Sequence, residues 1–565
     1  LLELAIALLT VPAALLPSLT DWIWPALGPD LLVSWTGQLV KLAISALVVV
    51  PPAIAMGMTL PLLIVAVEKS VVSNHASKIV IYAFNTLGGA FGLLATSTWL
   101  LQAFGVLGCM VIAILTNLLV AGVAWSMAFG QLSTTETTRQ SRRKYSRSNK
   151  STSSDPDRPE PVSLSGSTRL SIAAFSGMSV LALEVVAIRM LSLVVHSSFQ
   201  ATSSLLLCVI LLLGIAALLV PIFQYVVRST HWQLTLALSL SAIGSAAAPQ
   251  LLFNRTRQLV NVPALAAMDG RSLTGLFDFQ IAVLSVAVIS IGASIFFAGL
   301  VFPFLFASIP RDSESTQGKH WAILLAANGL GGLIGAILAE NALLPTFGIY
   351  GSMLALAIIQ AAAAIVFSFL MSGWRLAVPA IVTLIVCLAL APNNLGLPYI
   401  TPRTKSKFQV EQVAFGKEGV CLITKADNSG RGILMNNQYL LGSTIAFEEQ
   451  RRQVLIPLLL HNDLGSSANE PTATQVCCLG LATGMSAGAA LDFDDSCHVT
   501  AIELSPMVVA MARDHFQKEN NAVVTSPRAT IIIEDARTYI SAVHNKFDII
   551  AGDLYRPYGA GEGRL

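Results

Sequence analysis

Charge is what this 565-residue sequence has least of: 12% of its residues are Asp, Glu, Lys or Arg, against 54% that are hydrophobic. A water-soluble chain of ordinary composition carries about 25% charged residues. Most of this chain is therefore expected to face lipid or to pack inside a helical bundle. No run of like charge is long enough for a nucleic-acid surface, and the formal net charge is only +2, so no nucleic-acid partner is expected. The seven cysteines (Cys109, Cys208, Cys387, Cys421, Cys477, Cys478 and Cys497) contain no CxxC, and the eight histidines are scattered. That pattern excludes a disulfide framework and a zinc centre of ordinary spacing, and no metal is expected.

What the chain has instead is long apolar runs, at about 1–19, 31–66, 80–103, 106–129, 170–195, 201–227, 232–252, 277–307, 320–345, 349–371 and 375–392. Each is long enough to cross a hydrocarbon core of about 30 Å as a helix. Pro51, Pro52 and Pro303 predict kinks or partial re-entry in the two longest. Residues 130–168 differ abruptly, being polar, Ser/Pro-rich and basic, and read as a disordered linker. Arg139, Arg142, Arg143, Lys144 and Arg147 place that linker in the cytoplasm, and the loop 67–79, with Lys69 and Lys78, falls on the same side.

An internal repeat is visible. Gly57-Met-Thr-Leu-Pro61 recurs as Gly299-Leu-Val-Phe-Pro303, Asn85-Thr-Leu-Gly88-Gly89-Ala-Phe-Gly92 as Asn328-Gly-Leu-Gly331-Gly332-Leu-Ile-Gly335, and Leu101-Gln-Ala-Phe104-Gly105 as Leu344-Pro-Thr-Phe347-Gly348. The copies enter the membrane in the same sense, as parallel repeats do. The matching of spans predicts two further spans before Leu1, and Leu565 is expected to fall inside a longer domain. The small residues around Asn85 and Asn328 allow close helix approach, with a substrate path between the repeats as the functional alternative. Glu184 and Arg189 are costly in lipid and are expected to face protein or water, as an ion pair or as part of a transport path. Lys41 and Glu340, nearer span ends, are expected to snorkel.

After residue 400 the pattern becomes that of a soluble protein. Segments 407–415 and 419–425, followed by GILMNNQYLL, read as short strands with a turn at Asp427-Asn428-Ser429-Gly430, and 447–461 reads as a helix. From 475 the order is strand, Gly-rich turn, helix, strand, the βαβ signature. QVCCLGLATGMSAGAAL runs a buried strand into Gly480, Thr483, Gly484 and Gly488, where backbone N–H groups at a helix start meet a ligand. HVTAIEL ends in Glu503, placed to accept ribose hydroxyls; ATIIIEDA ends in Asp535, placed to meet an adenine edge; KFDIIAGDL ends in Asp553. Helix N-capping is the bland alternative for Glu503 and Asp535.

On the paired Gly-Pro and Asn-x-x-Gly-Gly elements, GLATGMSAGAAL, TAIELSP, EDAR and FDIIAGDLYRPYGAGEG, the chain resembles the membrane-fused branch of the spermidine synthase family, a duplicated major-facilitator-like bundle preceding a synthase domain. The resemblance implies that Gly480, Thr483, Gly484, Glu503 and Asp535 line the site for decarboxylated S-adenosylmethionine or S-adenosylmethionine, used as cosubstrate with no permanently bound cofactor. It implies that Asp553 takes a proton from the attacking amine, and that segment 403–460 is a small β lid. This chain has Thr483 where soluble synthases carry an acid, and Arg556, beside Tyr555, where they carry a second acid; the lid glutamine falls near Leu440 or Gln438. Arg556 and Tyr555 are therefore assigned to acceptor selectivity.

The expected architecture is a polytopic α-helical membrane bundle with a parallel internal repeat, a small β lid and a Rossmann-like α/β domain incomplete at its C-terminal end. The limits are 1–129 for the first repeat, 130–168 for the linker, 169–395 for the second repeat with one extra span, 403–460 for the lid and 470–565 for the Rossmann-like domain. The expected function is aminopropyl or related transfer to an amine at the bacterial inner membrane. One alternative is a non-polyamine, anionic acceptor; another is a transporter with a non-catalytic nucleoside- or polyamine-sensing domain. The partners expected are the lipid bilayer, the nucleoside, the amine, and a second copy as homodimer. Six crossings from 170–195 through 349–371 return the chain to the linker's side. If 375–392 also crosses, as its length favours, the C-terminal domain lies outside; if that run lies along or re-enters the interface, as a cytoplasmic cosubstrate favours, the domain is cytoplasmic.

Overall fold

The computed structural model describes residues 1–68, 75–132, 164–195, 199–259, 273–308, 314–372, 374–391, 408–416, 418–426, 430–436, 439–465, 473–544 and 546–552. Most of the basic linker, the turn 427–429, Gln438, Asp553, Tyr555 and Arg556 lie outside the described residues.

The apolar part is helical throughout, as it must be where a chain satisfies its backbone polar groups within each segment. Before the linker come α1 (Leu2–Leu27), α2 (Pro29–Val33), α3 (Trp35–Glu68), α4 (His75–Ala95) and α5 (Leu101–Leu132). After it come α6 (Gly166–Ser192), α7 (Phe199–Val226), α8 (Thr230–Leu259), α9 (Leu273–Ala307), α10 (Glu314–Leu338), α11 (Leu344–Ser372) and α12 (Trp374–Ala389). Among the described residues, 7 helical segments are long and apolar enough to cross a membrane by length and composition. Two of them, Ile79–Met127 with 49 residues and His320–Met371 with 52, have length for two passages each at 1.5 Å per residue. Each is broken where the sequence divides its runs. A five-residue π-helical turn, Thr96–Leu100 in one and Ala339–Leu343 in the other, precedes a glycine with φ 66° and ψ −174°, at Gly105 and Gly348. That backbone conformation is essentially restricted to glycine.

Close helix approach is realised between α6 and α10. A Cβ on Gly331 would lie 1.9 Å from the Ala174 carbonyl oxygen, one on Gly335 2.2 Å from that of Met178, and one on Gly177 1.9 Å from that of Asn328. The Asn328 side-chain amide donates to the Ala173 carbonyl at 3.1 Å, fixing the crossing. On α4 the corresponding Gly88, Gly89 and Gly92 meet open space, and Asn85 is exposed. No described helix covers that face of α4 as α6 covers α10.

The bundle has two ends, each with its own apolar cluster. One gathers Leu164, Ile172, Leu234, Phe306, Trp321 and Phe367. The other gathers Val186, Met190, Leu205, Ile291, Leu343 and Ile349, and continues into Val420 and Leu422 of the C-terminal part. The chain emerges from the linker at the first end, and the C-terminal part docks on the second. The start of α6 and the C-terminal part therefore lie at opposite ends of the bundle. The physical reason is the course of α12: its Ala380 packs in the first cluster, while Cys387 is level with Ala357 and Ala361 further up the bundle. It runs back along α11 instead of lying across the bundle's end.

The C-terminal part opens with an antiparallel sheet in the order β1-β2-β3-β4: β1 (Phe408–Gly416), β2 (Gly419–Ala426), β3 (Arg431–Met435) and β4 (Tyr439–Ser443). Then come α13 (Phe447–Gly465), β5 (Gln475–Leu479), α14 (Met485–Phe493), β6 (His498–Glu503), α15 (Pro506–His515), β7 (Ala529–Ile533), α16 (Ala536–Ala542) and β8 (Ile549–Gly552). The second sheet is parallel, in the order β7-β6-β5-β8. Assigned by sequence to the lid, α13 instead buries Val454 and Leu458 against Val476, Ala487 and Ile549, so it belongs to the α/β layer. The antiparallel sheet is seated on α14 and α15 through Cys421, Ile423 and Ile433 against Met485, Val508, Met511 and Phe516.

Candidate functional site: the glycine turn and its carboxylates

The parallel sheet reverses its winding direction between β5 and β8, because β6 and β7 are added on one side of β5 and β8 on the other. Open α/β sheets bind ligands at the carboxyl ends of the strands flanking such a switch point. The Gly480 turn follows β5 there, and Asp553 is the next residue in the sequence after β8.

The turn is built from backbone conformations that side chains resist. Gly480 has φ 98°, Ala482 φ 50° and Gly484 φ 80°. The Gly480 N–H donates to the Ile502 carbonyl at 2.8 Å, so the chain leaves β5 only after its last ladder bond to β6. A Cβ on Gly488 would lie 2.2 Å from the Asn520 carbonyl oxygen, so this glycine lets α14 pack directly against backbone. The Asn520 side-chain amide donates to the carbonyls of Thr483 and Ala512 at 2.9 and 3.0 Å, holding the turn from behind.

Glu503 closes the turn from the side. One of its oxygens accepts from the N–H groups of Leu481 and Ala482 at 3.1 and 3.2 Å, the other from the Ser505 N–H at 3.0 Å. An ionised carboxylate has about four acceptor positions, so these three bonds leave about one free. Asp535 caps α16, accepting from the Thr538 N–H at 2.8 Å. Between them stands Glu534, whose N–H donates to the Glu503 carbonyl at 3.2 Å and whose carboxylate accepts from the Asp535 N–H at 3.0 Å. The structure thus brings Gly480, Gly484, Glu503 and Asp535 to one edge of the sheet.

Thr483 faces elsewhere. Fully buried, it donates its hydroxyl to the Gln450 side-chain carbonyl at 2.8 Å, and the Gln450 amide donates to the carbonyls of Ser443 and Ala446 at 2.8 and 3.0 Å. Its side chain thus ties the turn to the end of β4 and to α13. Gln450, Asn520 and Glu534 were not picked out from sequence; Glu534 alone had a signal, lying in the EDAR segment beside Asp535. Burial, aided by the nearby Glu503 charge, pushes the Cys421 thiol up to about 12, and burial pushes Cys477 up to about 11. Neither is a thiolate near neutral pH.

The polar residues of the bundle are also placed. Arg189, near the end of α6, is paired with Glu340 of the π turn at 2.6 Å. Lys41, on α3, is paired with Glu534 at 2.5 Å. Lys41 and Glu340, expected to snorkel, each meet an opposite charge, Lys41 across to the α/β domain and Glu340 within the bundle. Glu184 lies two turns before the end of α6, partly buried. Two clefts adjoin Arg189 and Ser192, one of about 10 Å³ where the bundle meets β1 and β2 and one of about 130 Å³ where α6 meets α7.

Comparison with known proteins falls on the glycine-turn segment. Residues 476–564 match the model of the spermine/spermidine synthase domain. The C-terminal α/β domain is similar to spermidine synthases. A polyamine aminopropyltransferase of Alkaliphilus metalliredigens (strain QYMF) is 31% identical over 96 residues, 17% of this chain and 34% of that protein. One of Salmonella arizonae is 31% identical over 64 residues, 11% of this chain and 22% of that protein. The chain thus spans about a third or less of the length of these relatives. Among solved structures, a spermidine synthase in complex with the transition state analogue AdoDATO and one from Thermotoga maritima are each 20% identical over 26% of this chain, covering 47% and 48% of those chains, with TM-scores of 0.23.

Proposed function

We propose that the C-terminal domain binds decarboxylated S-adenosylmethionine, or S-adenosylmethionine, and transfers an aminopropyl or related group to an amine acceptor. The observation that carries this reading is the Gly480–Gly484 turn closed by Glu503 at the switch point of the sheet, within the segment similar to spermidine synthases. In the transfer, the amine lone pair attacks the carbon bound to the sulfonium, the C–S bond breaks with its electrons passing to sulfur, and methylthioadenosine leaves. Asp553 accepts the amine proton. Glu503 gives its free acceptor position to one ribose hydroxyl and reaches a second by exchanging a turn amide. Asp535 meets the adenine edge, and Arg556 and Tyr555 govern the acceptor.

Isothermal calorimetry of the full chain with methylthioadenosine tests the reading. Binding is expected, and Glu503→Ala is expected to weaken it by about 1–3 kcal/mol through loss of charge-assisted hydrogen bonds. A wild-type chain that binds no nucleoside overturns it. Incubation with radiolabelled decarboxylated S-adenosylmethionine and a panel of amines then reads the transfer.

The helical part is read as a duplicated bundle in the bacterial inner membrane. The matched π turns before Gly105 and Gly348, with one shared backbone conformation, support the duplication. The basic linker supports a cytoplasmic location for the first end of the bundle. With the C-terminal domain docked at the opposite end, the domain then lies on the outer face. This placement favours a second reading, in which the bundle is a transporter and the C-terminal domain senses a nucleoside or polyamine without catalysis.

A further inference from the structure

We infer that Lys41, a residue of the helical bundle, is a positioning residue for the nucleoside site, acting through Glu534. The inference rests on the nucleoside reading proposed above. Glu534 separates the two acids assigned to the ligand: its backbone N–H is bonded to the Glu503 carbonyl, and its carboxylate accepts from the Asp535 N–H. The second oxygen of that carboxylate leaves the α/β domain altogether. It accepts from the Lys41 ammonium at 2.5 Å and lies 3.4 Å from the Gln38 amide, both on α3. Gln38 and Lys41 are three residues apart in a helix and so share one face. The Glu534 side chain is 9% exposed and that of Lys41 21%, so the pair is largely withdrawn from water.

The neighbourhood shows that this is a docked interface and not a stray surface pair. Tyr539, on α16, has its phenol pushed up by burial, with Cys477 and Asp30, on α2, adding to the shift. The other flank of the C-terminal part is held by the second half of the bundle: a Cβ on Gly348 would lie 2.8 Å from the Phe415 ring of β1. The nucleoside site is thus gripped at its adenine end by α3 and at its antiparallel sheet by α11.

A carboxylate buried against a cation stays in place while the cation is there; with the cation removed, it is driven towards water. Glu534 cannot move alone, because it is bonded to both Asp535 and Glu503. Loss of Lys41 therefore displaces the carboxylates that meet the adenine and the ribose, although Lys41 touches neither. By reciprocity, a nucleoside seated on those carboxylates stabilises the contact between α3 and the domain.

The test uses the full chain in detergent and calorimetric titration with methylthioadenosine. Lys41→Met is expected to weaken nucleoside affinity by roughly three- to thirtyfold, the range for a residue acting through a neighbour. Lys41→Arg, which keeps the charge, restores it. Glu534→Gln removes the buried charge instead of orphaning it, so adding Lys41→Met to Glu534→Gln is expected to cost nothing further. Glu534→Gln leaves unpaired only the more exposed partner, the Lys41 ammonium at 21%, so it keeps the comparison available if Lys41→Met folds poorly. Wild-type affinity in Lys41→Met, failure of Lys41→Arg to restore binding, or additive losses in the double variant overturns the inference while leaving the nucleoside reading standing. A wild-type chain without nucleoside affinity overturns both.

Discussion

Gly105 and Gly348 hold one backbone conformation, φ 66° and ψ −174°, each a few residues beyond a π-helical turn. The π turn widens the helix by one residue, and the glycine then ends it in a conformation that a Cβ would strain. At Gly348 the ring of Phe415 fills the space beside the break, so the corner at Gly348 is also the seat of β1. The two corners share a backbone and differ in what rests on them.

That difference extends to the helices leading into the corners and gives a direct comparison. Gly335→Ala places a methyl group 2.2 Å from the Met178 carbonyl oxygen, whereas Gly92→Ala meets nothing within 4 Å. Separating α6 from α10 to admit the methyl is expected to cost about 3 kcal/mol. Gly92→Ala is expected to be neutral or slightly favourable, since Ala suits a helix better than Gly. Thermal unfolding of the two detergent-solubilised variants checks this, and equal midpoints would contradict the packing described.

Much of this organisation was legible in sequence because it is local. The limits of β1 and β2 fall within about one residue of the expected strands, since alternation and glycine punctuation are short-range signals. Gly105 and Gly348 stood at the ends of matched segments, so the breaks could be anticipated from the chain alone. What escaped is pairing at long range. Nothing near Lys41 names Glu534, nothing near Thr483 names Gln450, and the apolarity of α12 gives its character but not its direction. The layer occupied by α13 was missed for the same reason: a polar, amphipathic helix looks alike whichever sheet its apolar face meets.

The placement of the start of α6 and the C-terminal domain at opposite ends of the bundle is testable in cells. Single cysteines introduced as Ser148→Cys, in the linker, and Asp495→Cys, whose native side chain is fully exposed, report the two ends of the bundle. A membrane-impermeant maleimide is expected to label position 495 in intact cells and position 148 only after lysis. Labelling of both positions in intact cells, or of neither, would contradict the placement.

Alkaline pH is expected to loosen the C-terminal domain. Burial and the Glu503 charge raise the Cys421 thiol from its ordinary 9.0 to about 12, and burial raises Cys477 to about 11. An unfolded chain ionises both thiols near 9 while the folded chain keeps them neutral. Their contribution is therefore complete below pH 9 and is lost as the pH climbs from there towards 11 and 12. Each thiol makes a slope of up to about 1.4 kcal/mol per pH unit. Unfolding midpoints measured between pH 8 and 11 should fall, and Cys421→Ala should flatten the fall; an unchanged slope in that variant would assign the effect to other groups.

The proposed acceptor half of the site gives the last prediction. Asp553 is the next residue in the sequence after β8, and Arg556 lies three residues further along. A diamine carries two ammonium groups that need carboxylates to hold them, and a guanidinium in that neighbourhood repels them. Putrescine is therefore expected to be a poor acceptor for the wild-type chain, and Arg556→Asp to raise diamine affinity. Asp553→Asn keeps the shape of the side chain and removes its capacity to take a proton, so transfer should cease while methylthioadenosine still binds. Initial rates over a putrescine series, read beside calorimetry on the same variants, separate the two halves of the site. Efficient wild-type turnover of putrescine would contradict the role given to Arg556 and remove the case for an anionic acceptor.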